Sequence, residues 1–322
     1  MRIAAQMPQA EHQPVLLDAA LAGLGLRADG VYVDATFGRG GHSRGVLSHL
    51  GQNGRLVAFD QDPDAQAHAQ PLVETDERFT FVRASFAELG ERVAALGLAG
   101  RVDGVLFDLG VSSPQFDVAE RGFSFRHAGP LDMRMNPDAG KPLSDWLHNA
   151  SHGEIAAVIK RYGEEPMAGR VAAAILDARA TGPIADTGRL AAIVASAIPA
   201  RVAAGKRIHP ATRTFQAFRM HINDEIGALE RGLDAAFDVL APAGRLAVIS
   251  FHSLEDRRVK RFIRAQARPA PPPVPMAPVA APALLEIGKP VRADAAELEA
   301  NARARSAIMR VAERTDAPKV SS

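Results

Sequence analysis

The sequence predicts an α/β fold in which a parallel sheet is interrupted by an all-helical insertion. Three observations carry this: short β-type runs alternate with helix-type runs over the first third, the alternation stops after Asp108, and a β-type run returns at 245–251. The first strand reads Val31-Tyr-Val-Asp-Ala35 and is followed by a helical pattern over 43–50 and a second strand, Arg-Leu-Val-Ala-Phe-Asp, over 55–60. Asp62 followed by Pro63 is a cap and first-turn proline, and opens the next helix. Strands at 79–83 and 103–108 follow. Strands separated by helices require right-handed crossovers, hence a parallel sheet whose ligand site lies beyond the strands' carboxyl ends.

Past Asp108 come helix signals without a convincing strand. Ser151 and Glu154 fit a capping box for a helix that stops at Gly163, and further apolar-periodic segments cover 167–180 and 188–198. A long helical pattern over 212–240 leads through Pro242 and Gly244 into the strand at 245–251, and 306–313 supplies a final strand. The expected organisation is a discontinuous sheet domain, 1–117 with 212–322, an inserted helical substrate-recognition domain, 118–211, and a Pro/Ala-rich flexible loop, 269–286.

Length and composition set outer limits. At 322 residues the chain is long enough for two domains, and 47% hydrophobic with 23% charged residues excludes wholesale disorder, collagen and coiled coil. The net charge is only +1, so any nucleic-acid contact must come from local patches. With no cysteine there can be no disulfide, thiolate metal site or cysteine nucleophile. The histidines lack a metal-site spacing, so no metal is expected. Residues 1–14 lack a signal pattern and no apolar stretch is long enough to span a bilayer, so the expectation is a cytoplasmic protein without membrane contact.

The first strand ends in a glycine-rich turn, Asp34-Ala-Thr-Phe-Gly-Arg-Gly-Gly-His-Ser43, that leads into a helix, where a Rossmann-like fold lets backbone approach a ligand. Asp60, closing the second strand, is placed to accept both ribose hydroxyl protons of a nucleoside. The turn is not a strict G-x-G-x-x-G, since position 43 is serine, and an oxidoreductase stays open on this feature. Asp34 would repel a pyrophosphate but suits a cofactor bearing an ammonium and a sulfonium, which favours S-adenosylmethionine. Phe86 follows the third strand and could edge an adenine or sit in the core. Asp108-Leu-Gly-Val-Ser-Ser-Pro-Gln115 follows the fourth, placing an acid and small polar groups at the same edge. His252, ending the 245–251 strand, could face this crevice or cap the next helix.

At these motifs the sequence resembles the bacterial small-subunit ribosomal RNA (cytosine-N4)-methyltransferases, the MraW or RsmH family. The resemblance runs nearly end to end and includes Glu120-Arg-Gly-Phe-Ser-Phe125, Gly129-Pro-Leu-Asp-Met-Arg-Met135, His209-Pro-Ala-Thr-Arg-Thr-Phe-Gln216, Ser250-Phe-His-Ser-Leu-Glu-Asp-Arg257 and Ala302-Arg-Ala-Arg-Ser306. It implies a Rossmann-like class I methyltransferase sheet with an inserted helical domain, S-adenosylmethionine as cofactor, and methylation of N4 of a cytidine in the decoding centre of 16S RNA. The family's cofactor contacts fall on Gly40, Gly41, His42, Asp60, Phe86, Asp108 and Gln115, to which the charge argument adds Asp34.

The cytosine amino lone pair is delocalised into the ring, so acceptors must localise it. Ser113 and its neighbours are expected to orient the amine, with Asp108 helping to hold the cofactor. A cytidine in RNA must be single-stranded or extruded to be reached. Arg257, Lys260, Arg261, Arg264 and Arg268 share one side of a helical pattern, and Arg201, Lys206, Arg207, His209, Arg213 and Arg219 form a second basic region where insertion rejoins core. The partner implied is small-subunit ribosomal RNA or the 30S subunit; oligomeric state is open, a dimer included. Methylation of a DNA base or small amine, and a noncatalytic RNA-binding assembly factor, remain as alternatives.

Overall fold

The computed structural model describes residues 14–203, 208–269 and 280–320, with the side chains at 113, 114, 201, 203 and 302 outside the description. It divides into two compact units, one formed by the described residues up to Gly110 and from Leu229 onward, the other by Val111–Ala228. No helix among the described residues is long and apolar enough to cross a membrane.

The first unit is built on seven strands: β1 (Val31–Asp34), β2 (Arg55–Asp60), β3 (Phe79–Arg83), β4 (Val102–Asp108), β5 (Leu240–Ser250), β6 (Leu284–Glu286) and β7 (Ile308–Arg314). Their order is β3-β2-β1-β4-β5-β7-β6. The first five run parallel, and β7 pairs antiparallel with both β5 and β6. Because successive side chains alternate across a strand, Val33, Val57, Phe59, Val105, Phe107 and Val248 fill one core, whereas Tyr32, Leu56, Ala58, Leu106, Ala247 and Ile249 fill the other. Asp62 caps the Pro63–Thr75 helix by accepting the Asp64 N–H, as the Asp-Pro pair predicts. The glycine turn enters its helix at Gly41 rather than at 43.

Three expectations change here. The helical pattern over 212–240 is two helices, Thr212–Ile222 and Glu225–Val239. Asn223 ends the first: its amide donates to Met133 O (2.8 Å) and Arg219 O (2.9 Å), and its Oδ1 accepts the Met135 N–H (2.7 Å). Asp224 then takes a positive φ of 46°. β5 begins at Leu240, paired with Val102, and shifts register before Gly104 meets Arg245. Finally, the expected flexible loop over 269–286 ends in ordered structure. Residues 270–279 lie outside the description, but Ala283 and Leu284 are buried and Leu284–Glu286 forms β6, hydrogen-bonded to β7.

The second unit packs helices around Leu143, Leu147, Ile155, Ile159, Val171, Ile175, Leu190, Val194, Phe215 and Phe218. The capping box at Ser151 and Glu154 is formed, and the His152–Gly163 helix runs to the expected stop. The Thr212–Ile222 helix lies directly against it. A Cβ on Gly163 would stand 2.6 Å from the Arg213 carbonyl oxygen, so glycine permits the approach. That packing puts 212–222 with the inserted helices, and both expected boundaries, 118 and 211, fall inside Val111–Ala228.

Candidate active site

β2, β1 and β4 are neighbours, roughly 4.8 Å apart, and each ends at its carboxyl edge in an aspartate: Asp60, Asp34 and Asp108. Asp34 is 1% exposed, and its carboxylate accepts from Ser43 Oγ (2.6 Å) and from the Thr36 N–H (3.1 Å). Asp60 accepts the Gly38 N–H (2.8 Å) on one oxygen and the Asp62 N–H (2.9 Å) on the other. The Asp108 N–H donates to Thr36 Oγ1 (2.7 Å), while its carboxylate Oδ1 is buried without a hydrogen-bond partner among the described residues. The turn thus ties itself to all three strand ends.

The turn's glycines serve different needs. Gly38 (φ 55°) has nothing within 4 Å of the position a Cβ would take. Gly40 (φ 75°) would place one 2.6 Å from the Phe37 ring. At Gly41 the Cβ would meet Pro14 at 2.2 Å, so this glycine admits the incoming chain. The next residue, His42, is 5% exposed, with Nε2 3.1 Å from Val15 O and Nδ1 3.5 Å from Asp108 Oδ2.

Burial raises the pKa of all three aspartates. Asp60 is pushed up to about 6 by desolvation, against the pull of the Asp62 and Gly38 N–H groups. Asp108 also rises to about 6, through desolvation opposed by His42 and reinforced by the charges of Asp34 and Glu255. Asp34 rises through desolvation, partly offset by His42 and the Ser43 hydroxyl. Since the folded-state values of Asp60 and Asp108 exceed the ordinary aspartate value of 3.8, ionisation above pH 6 destabilises the ligand-free fold and protonation relieves it. Lowering the pH from 7 to 5 should therefore gain about 1 kcal/mol per group relative to Asp60→Asn or Asp108→Asn. Urea unfolding at the two pH values measures this; parallel pH dependence in wild type and variants would contradict it. A cationic ligand provides the same relief without the proton.

Phe86 begins the turn of helix capped by Ser85, half-buried, with its ring edge-on to Phe107 at 5.5 Å. Phe86 packs against the core cluster without being fully buried, which leaves both expectations for it open. Gln115 belongs to the second unit, is 5% exposed and accepts the Ser112 N–H (2.9 Å) on its amide oxygen. Ser113 opens a short helix, Ser113–Asp117, but its side chain lies outside the description.

His252 is the cap of the Ser253–Ala267 helix and forms a capping box with Glu255. The buried Glu255 also accepts the Phe251 N–H (2.9 Å). Thr36, Ser43, Glu255 and Val15 are the supporting residues that sequence reasoning missed. Small polar residues in the glycine-rich motif were the available signal for Thr36 and Ser43; Glu255 was visible only as the acid three residues after His252, and Val15 acts through a backbone carbonyl and left none.

The Ser253–Ala267 helix buries Val259 and Ile263 and exposes Arg257, Lys260, Arg261 and Arg264. Arg268, just beyond it, pairs with Glu286 at 3.3 Å. The second basic region is less uniform. Lys206 and Arg207 lie outside the described residues, as does the Arg201 side chain. Arg213 donates to the Glu164 carbonyl (3.1 Å). Arg219 is taken up by Glu225 in two hydrogen bonds of 2.7 and 2.8 Å, which removes it from the expected RNA surface. His209 is exposed and packs against Phe125 with the rings tilted by 39°, centroids 4.7 Å apart.

Comparison with known proteins meets this geometry from another direction. The ribosomal RNA small subunit methyltransferase H of Halorhodospira halophila is 53% identical over 317 residues, spanning 97% of each chain. That of Thioalkalivibrio sulfidiphilus is 51% identical over 311 residues, 95% of this chain and 98% of the other. A third, from Xanthomonas euvesicatoria pv. vesicatoria, is 53% identical over 310 residues, 95% and 90% of the two chains. The sheet, five parallel strands followed by the antiparallel β7 and β6, has the Rossmann-like α/β form that the sequence predicts. The model of the MraW methylase family matches residues 9–315, and the chain belongs to that family.

Proposed function

We propose that this protein is a cytoplasmic S-adenosylmethionine-dependent methyltransferase acting on N4 of a cytidine in the decoding centre of small-subunit ribosomal RNA. The structural observation that carries the cofactor reading is the row of three raised-pKa aspartates beside the glycine turn, with Asp108 Oδ1 unpartnered among the described residues. A ligand bearing an ammonium and a sulfonium fits that charge; a pyrophosphate does not. The substrate rests on relatives of nearly equal length that carry the name ribosomal RNA small subunit methyltransferase H.

When bound, S-adenosylmethionine supplies a methyl group already activated by its sulfonium, so the protein's task is placement. Asp60 keeps lone pairs for two ribose hydroxyls, and its orientation is set by the Gly38 and Asp62 N–H groups. Phe86 offers a ring edge to adenine. Gly40, Gly41, His42, Asp34 and Asp108 line the methionine end, and Gln115 closes the contact set. Ser113 and the carbonyls around Pro114 accept from the target amine and localise its lone pair.

The exposed face carrying Arg257, Lys260, Arg261 and Arg264 is read as the phosphate contact, with Lys206, Arg207 and Arg213 a second one. Replacing the four helix residues together by glutamine should reduce the slope of log affinity against log salt by roughly 3, at ~0.7 per single-strand phosphate. Filter binding to a decoding-centre RNA between 50 and 200 mM salt reads it, and an unchanged slope would remove that face from the interface.

The deciding experiment is transfer of labelled methyl from S-adenosylmethionine to small subunits lacking the modification, followed by digestion to nucleosides. Label in N4-methylcytidine is expected. Tight cofactor binding with no label would leave the fold and cofactor standing and defeat the substrate reading.

A further inference from the structure

The geometry at His42 settles more than a cofactor contact. The Val15 carbonyl can only accept a hydrogen bond, so His42 Nε2, 3.1 Å away, must carry a proton. In the neutral imidazole that leaves Nδ1 with a bare lone pair, 3.5 Å from Asp108 Oδ2. A lone pair facing an ionised carboxylate beside a ring only 5% exposed is repulsive in a medium of low dielectric. The arrangement is favourable only when a second proton is present, on Nδ1 as an imidazolium facing a carboxylate, or on Asp108 as a neutral acid donating toward Nδ1. Asp34 on β1 and Glu255 on the Ser253–Ala267 helix add negative charge around Asp108, and both favour keeping that proton.

The carbonyl partner is held firmly. The adjoining Leu16 N–H donates to Glu297 Oε1 (2.6 Å), Leu16 has φ 54°, and Pro14 packs on Gly41. His42 therefore cannot rotate to present Nδ1–H to a different acceptor without detaching residues 14–16.

We propose that in the ligand-free protein His42 and Asp108 hold one proton between them, locked in place by the Val15 carbonyl, and that a cation arriving at Asp108 expels this proton to solvent. His42 is thus a positioning residue that couples the segment entering the domain to the acid facing the cofactor. The second half of the proposal rests on the cofactor reading above; the first half does not.

Two measurements test it. Long-range proton–nitrogen correlation spectra of the ligand-free protein, with His42 assigned by its loss in His42→Gln, should show Nε2 protonated at pH 7; a bare Nε2 overturns the proposal. Calorimetry of S-adenosylmethionine binding in buffers of different ionisation heat counts protons. Wild type should release up to one proton more than Asp108→Asn, the comparison cancelling the ligand's own amine, with Asp108→Ala used if the asparagine variant fails to fold or bind. Equal counts overturn the expulsion step. Absence of any S-adenosylmethionine binding to wild type, with the histidine signature intact, would defeat the cofactor reading and the expulsion step and leave only the Val15 lock on His42 standing.

Discussion

Asp60→Ala should weaken S-adenosylmethionine binding by about 100-fold or more while the fold stays intact. Each hydrogen bond from a hydroxyl to an ionised carboxylate is worth about 1.5–3 kcal/mol, and Asp60 is read as making two to the ribose. Fold stability moves the other way, because removing a carboxylate with a pKa of about 6 also removes its burial cost at pH 7. Those opposing effects provide the control. Asp60→Asn, which lacks the charge, should melt at or above the wild-type temperature at pH 7 and still bind weakly by calorimetry. Reduced melting temperature with unchanged affinity would assign Asp60 to the support of Gly38 and Asp62 alone.

Gly40→Ala should cost roughly 2–5 kcal/mol of stability, from ~1–2 for forcing an L residue to positive φ and ~1–3 for overpacking. The overpacking arises because the new methyl would stand 2.6 and 2.7 Å from two atoms of the Phe37 ring. Phe37 is buried and packed against Phe79 and Phe81, with centroids at 5.8 and 5.4 Å, so it has little room to retreat. Gly38→Ala is the internal comparison: its φ of 55° is strained, but its Cβ meets nothing within 4 Å. It should cost only ~1–2 kcal/mol. Urea midpoints for the two variants separate the contributions, and equal losses would rule out the Phe37 contact as the reason for glycine at 40. Cofactor affinity should fall in Gly40→Ala as well, since the displaced turn carries the Gly38 N–H that orients Asp60.

The parts of the site that lie on local sequence were legible. The strand ends at Asp34, Asp60 and Asp108 followed from β-type runs, and the Asp62 and Ser151 caps from short-range residue chemistry. The break at Asn223–Asp224 was also present as a turn-forming pair, but an apolar helical period continued across it and masked it. β6 gave no usable signal: three residues following a proline-rich run become a strand only because β7 supplies their partners. Arg219 looked like one more cation until Glu225 was found beside it. His252 was balanced between two readings, and the capping box with Glu255 supports the structural one.

The sequence by itself determined the α/β class, the order of the core elements, the aspartates that face the ligand edge and the family, because each depends on residues within a few positions of one another or on motifs read in order. Only the tertiary structure decided which groups those aspartates touch. Thr36 serves the Asp108 backbone 72 positions away, Glu297 holds Leu16 across 281, and the Val15 carbonyl meets His42 Nε2 across 27. Hydrogen bonds of that kind are made by chain closure, and a carbonyl or a backbone N–H has no side chain through which the sequence could announce it.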